Sequence, residues 1–87
     1  MALKGNLTDA QVGYVFPDSY AKVEFSRVFK TDTLIFVHWY ADEQARWDEK
    51  FPVKTKEFVM PTTQLAGYAS FYGWLKTQPE FAGWVDV

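Results

Sequence analysis

The sequence predicts a small α+β fold: an antiparallel three-stranded meander with one C-terminal helix packed on a face. Three stretches carry that prediction. Tyr20 to Lys30 alternates with period two, Thr33 to Ala41 is apolar on both parities, and residues 62–78 carry apolar side chains at helical spacing. The order is an extended arm over 1–19, the meander over 20–60, the helix over 62–78 and a tail over 79–87. All lie in a single domain, 1–87.

In the arm, Asn6, Thr8, Asp9, Gly13, Pro17 and Asp18 interrupt short apolar pieces. Val12, Tyr14 and Phe16 alternate and leave room for a fourth, edge strand. The arm either reaches a neighbour or drapes over its own domain. In the first strand Ala21, Val23, Phe25 and Phe29 share one parity, broken by Arg27. That break predicts a bulge near Ser26 or an exposed strand end. Thr31-Asp32 then turns the chain. The second strand has Leu34, Phe36, His38 and Tyr40 on one face and Ile35, Val37, Trp39 and Ala41 on the other, so it is central.

Asp42 to Lys50 is a polar connection in which Asp42 caps a short turn through Arg46, or which forms a long hairpin loop. Its Trp47 either folds back or is offered to a partner. Phe51 to Met60 forms the third strand, at an edge because of Pro52 and its charges. Phe51, Val53 and Val59 lie on one face with Thr55 and Glu57, and Lys54, Lys56, Phe58 and Met60 lie on the other. Thr62 or Thr63 caps the helix, whose stripe is Leu65, Tyr68, Ala69, Tyr72 and Leu75. Gly67, Ala69 and Gly73 leave room for a close neighbour, and Pro79 ends the helix. The apolar tail around Phe81 and Trp84 folds back or docks elsewhere.

Composition narrows the function. A chain of 87 residues buries only ~60–65% of its unfolded surface. It has no Cys and one His, which excludes disulfides and thiolate metal sites and argues against structural zinc. Oligomerisation or docking on a larger assembly is the remaining route to stability. Eight Phe, five Tyr and four Trp crowd so small a core. Either they fill it efficiently or some form an interface, for which Trp39, Trp47, Phe71, Trp74, Phe81 and Trp84 are the candidates.

A net charge of −2 disfavours a nucleic-acid platform, although Lys22, Lys30, Lys54 and Lys56 interleave with aromatics. No apolar run is long enough to span a membrane, and the first residues lack the apolar core of a signal peptide. His38 has no assignable catalytic partner. Asp42, Glu43, Asp48 and Glu49 lack a calcium-loop pattern and read as a solvated loop. The expectation is a protein without enzymatic activity, cofactor or metal.

Ser19-Tyr20-Ala21-Lys22-Val23, Thr33-Leu34-Ile35-Phe36-Val37 and the closing Tyr72-Gly73-Trp74-Leu75-Lys76-Thr77-Gln78-Pro79-Glu80-Phe81-Ala82-Gly83 resemble segments of small tailed-bacteriophage proteins encoded near the tail genes. The likeness covers most of the chain in pattern, and the closing stretch is its most specific part. The acidic Trp47 loop and the Trp and Phe load depart from it. The resemblance implies a structural virion protein of a tail, baseplate or neck, assembled in the host cytoplasm. It also implies docking on other virion structural proteins or on copies of itself. The alternative is a small nucleic-acid-binding or regulatory module.

Overall fold

A computed structural model describes residues 2–9 and 14–87. They form a small α+β fold with five antiparallel strands and two helices. The strands are β1 (Leu3–Asp9), β2 (Tyr14–Val28), β3 (Asp32–Tyr40), β4 (Lys54–Pro61) and β5 (Val85–Asp86). The helices are α1 (Glu43–Trp47) and α2 (Ala69–Leu75). The spatial order is β4-β3-β2-β1-β5. Strands β1 to β4 follow one another as a meander. After β4, at one edge, the chain crosses a face of the sheet and adds β5 at the other.

β3 is central, as its two apolar faces require. Ile35, Val37 and Trp39 are fully buried, while Leu34, Phe36 and His38 are half-buried. The buried set joins Ala21 and Val23 of β2, Phe58 and Met60 of β4, Leu3 and Leu7 of β1, and the C-terminal segment. Along β4 the expected parity holds: Phe58 and Met60 point inward, and Val59 points out.

The arm does join the sheet, as its alternation allows, but not as an added edge strand: it forms β1, which lies between β2 and β5, and the first half of β2. Val12, part of the expected alternation, lies outside the described residues. Pro17 and Asp18, read as breakers, sit in a bulge opposite Asn6, where the register passes from Gly5↔Ser19 to Leu7↔Phe16. A bulge tolerates a proline, and Asp18 takes the positive φ (56°) that an Asp accepts.

The helix is also corrected. Residues Thr62–Gln64 form a single 3-10 turn, and α2 begins only at Ala69. Thr62 is not its cap. The Thr62 hydroxyl donates to the Phe29 carbonyl (2.8 Å) and accepts from the Thr33 hydroxyl (2.9 Å), tying the end of β4 to the β2–β3 turn. Gly67, at φ 87°, breaks the path, and a left-handed residue cannot continue a helix. No atom approaches where a side chain would stand at Gly67 or Gly73, so neither glycine serves close packing. The expectation of one helix over 62–78 on a three-stranded sheet therefore matches only in outline.

The tail folds back. After a second 3-10 turn (Pro79–Phe81) and Gly83, at φ 82°, it runs as β5 beside β1. Val87 and Ala2 exchange backbone hydrogen bonds of 3.0 and 3.2 Å. Phe81 stacks on Trp39 at 5.3 Å, and Trp84 meets Phe81 edge-on at 5.2 Å. Gly5 is where Trp84 lands: a β-carbon there would stand 2.5 Å from the indole, so only glycine admits that ring. Ion pairs Lys56–Glu80 and Lys76–Asp86 fasten the segment to β4 and along its own length.

Candidate docking face

The sheet has one closed face and one open face, and a bulge decides which side chains lie on the open one. Between β2 and β3 the register runs Val23↔Val37, then Phe25↔Phe36, so Glu24 is the extra residue. Two tyrosines of the C-terminal segment hold it. The Tyr72 hydroxyl accepts from the Val23 N–H (3.1 Å), and the Tyr68 hydroxyl donates to the Val23 carbonyl (2.8 Å). With its proton so placed, Tyr68 accepts from Tyr72 at 2.9 Å. Val23 lies beyond the last β1–β2 pair, Leu3↔Ala21, and both of its backbone groups are thus satisfied by side chains.

The bulge reverses parity. Phe25 leaves the face of Ala21 and Val23 and stacks on Phe36, with centroids 4.3 Å apart and planes at 18°. This corrects the assignment of Phe25 to the core face. The irregularity expected near Ser26 sits two residues earlier, and it places Phe25 and Arg27 together outside.

The open face is read across β2, β3 and β4 in rows: Lys22, His38 and Thr55; Phe25, Phe36 and Glu57; Arg27, Leu34 and Val59. Phe25 and Val59 are each 54% exposed. Beside Phe36 lies a recess of about 260 Å³ lined by His38, Thr55 and Glu57 among others. Fully burying a Val, Leu or Phe side chain contributes about 1.5–3 kcal/mol each.

The far end of this face is already covered. Helix α1 lies over a small second core of Ala2, Tyr20 and Tyr40, with Ala45 packed against it. The Asp42 carboxylate caps α1 by accepting from the Ala45 N–H (2.8 Å), as its position predicts. Arg46 pairs with Glu24 at 3.1 Å and lies over the Tyr40 ring. Burial raises the phenol pKa of Tyr20 and of Tyr40, and nearby acidic charge adds to it. Tyr72, deeper, is raised by burial and by its bond to Tyr68.

Of the six aromatics expected at an interface, Trp39, Phe71, Phe81 and Trp84 are buried in the chain's own core. They are spent on folding and form no exposed surface, which corrects that expectation for these four. Trp74 is half-buried, edge-on to Phe58. Trp47 is 66% exposed on α1, and its indole donates to Glu43 at 3.4 Å. Sequence reasoning put Leu34 and Phe36 together on one face of β3 but did not join Phe25 and Val59 to them. The available signal was Arg27, whose parity matches Phe25 and whose charge belongs outside.

Among the described residues no group of three or more His, Cys, Asp or Glu is placed to hold a metal ion. No helix among them is long and apolar enough to cross a membrane. No protein-family model, curated protein or solved structure matches this chain.

Proposed function

We propose that this protein is a non-enzymatic structural component of a tailed-phage particle, held in a tail, baseplate or neck through the open face of its sheet. The single observation behind the reading is that face. A domain this small leaves Phe25 and Val59 half in water beside Leu34 and Phe36, although its other sheet face is sealed by Phe71, Tyr72, Phe81 and Trp84 of its own C-terminal segment. Exposed contiguous apolar surface of this kind marks interaction sites. The resemblance of the β2, β3 and closing segments to small phage tail-region proteins supplies the setting, with assembly in the host cytoplasm and other virion proteins or further copies of the chain as partners.

The test is mass spectrometry of purified phage particles from a lysate in which the gene is expressed with its neighbours. The protein should be recovered with the particles in a fixed ratio to the tail proteins. Its absence from intact particles would overturn the reading.

A second reading, a module for single-stranded nucleic acid, draws on Phe25 and Phe36 flanked by Lys22, Arg27 and His38 on one face. Stacking platforms combine rings with cations in this way. Glu57 on the same face and the stacking of Phe25 on Phe36, which occupies a ring surface, weigh against it. Salt-dependent binding of a single-stranded oligonucleotide at micromolar protein would favour it.

A further inference from the structure

We propose that the open face pairs with the same face of a second copy of this chain, across a two-fold interface centred on Leu34 and Phe36. The proposal deepens the assembly reading and rests on it for the choice of face. What selects a second copy as the occupant is the placement of charge. Arg27 stands on β2 beside Leu34, and Glu57 stands on β4 beside Phe36. The two charges therefore occupy opposite corners of a patch whose middle is Leu34 and Phe36 and whose other two corners are Phe25 and Val59. Among the described residues neither Arg27 nor Glu57 has an ion-pair partner.

A two-fold axis lying between two facing sheets maps the face onto its own mirror outline. Set crosswise to the Arg27–Glu57 diagonal, it brings each Arg27 against the Glu57 of the other copy. Two reciprocal ion pairs then flank an apolar centre, the usual division between a hydrophobic middle and a polar rim. The same operation sets Phe25 of each copy over the region of Phe36 and His38, next to the recess. Opposite charges fix the register, and like charges would penalise any other. A phosphate backbone would be repelled by Glu57, whereas a second copy uses it.

The experiment is sedimentation equilibrium of the full chain over a concentration series, for the wild type, Arg27→Glu, Glu57→Arg and an equimolar mixture of the two variants. The wild type should dimerise, and each variant alone should associate about tenfold or more weakly. The mixture should regain wild-type association, because in the mixed dimer both ion pairs are restored, one as the native Arg27–Glu57 pair and the other with its signs exchanged. Both side chains are exposed, so melting temperatures measured at concentrations where the wild type is monomeric should match, which separates lost pairing from lost folding.

A wild type that stays monomeric would overturn the proposal, as would variants that dimerise normally or a mixture that fails to recover. A monomer that binds single-stranded DNA through Arg27 would also overturn it, in favour of a strand-binding face. Recovery of a monomeric chain with phage particles would sink the self-pairing and leave the virion reading standing. A charge-swappable dimer absent from particles would do the reverse.

Discussion

Replacing Tyr72 by Phe should destabilise the fold while keeping the ring that fills the core. The ring is 1% exposed, and the substitution deletes only the hydroxyl. That oxygen accepts from the Val23 N–H and donates to Tyr68. Its loss strands a buried amide at the bulge, which costs about 1–3 kcal/mol. A chain of 87 residues is stable by only roughly 4–13 kcal/mol, so the loss is a sizeable share. Melting should fall by about 4–8 °C for each kcal/mol. Tyr68→Phe should cost less, about 0.5–1.5 kcal/mol, because Tyr68 itself is half-exposed and its hydrogen bonds are only part-buried. The double variant should cost less than the sum, since the two hydroxyls share one network. Urea titration followed by tryptophan fluorescence gives the energies, and amide exchange at Val23 gives the local effect. A Tyr72→Phe protein within 0.5 kcal/mol of wild type, with Val23 still protected, would refute the claim that these hydroxyls hold the bulge; that threshold is about the smallest net worth of one hydrogen bond.

Three further outcomes follow from the same packing. Gly5→Ala drives a β-carbon to 2.5 Å from the Trp84 indole, so it should cost about 1–3 kcal/mol in denaturant titration and loosen β5 from β1. Glu49→Gly should raise stability by about 1 kcal/mol, read as a higher melting temperature. Glu49 sits at φ 57° just past α1, where Lys50 N–H bonds back to the Ala45 carbonyl, a helix ending that favours glycine. Alkaline pH should unfold the protein. Tyr20, Tyr40 and Tyr72 have pKa values raised above 10.0 in the fold, so their contribution is complete below that value and is lost as pH rises through it, when the unfolded chain ionises first. Phenolate absorbance should therefore show a group of late-titrating tyrosines that appear together with loss of circular dichroism.

Much of the fold was legible because single residues spoke for it. Two apolar parities placed Thr33 to Ala41 inside a sheet rather than at its edge, Pro52 and the lysines placed β4 at an edge, and Asp42 marked the start of α1. The errors share a physical cause. Bulges shift parity without changing composition. The one at Glu24 turned Phe25 outward, and the one at Pro17 and Asp18 hid a strand behind residues that look like breakers. Both are held by distant groups, Tyr68 and Tyr72 in the first case and Asn6 in the second, whose side chain lies 3.4 Å from the Asp18 N–H. No local pattern reports such contacts. The helix was drawn too long because its apolar stripe continues across Gly67, where the backbone itself turns away. Tail aromatics read as offered to a partner were instead needed by a core that one seven-residue helix could not close.

One face of the sheet is closed by the chain, and we propose that the other is completed by a second copy. Two-dimensional amide NMR across a dilution series tests it directly. Dilution should move the resonances of Phe25, Arg27, Leu34, Phe36, Glu57 and Val59 while those of Tyr72, Leu75 and Trp84 stay fixed. Shifts centred on Trp47, or a spectrum unchanged by dilution, would contradict it.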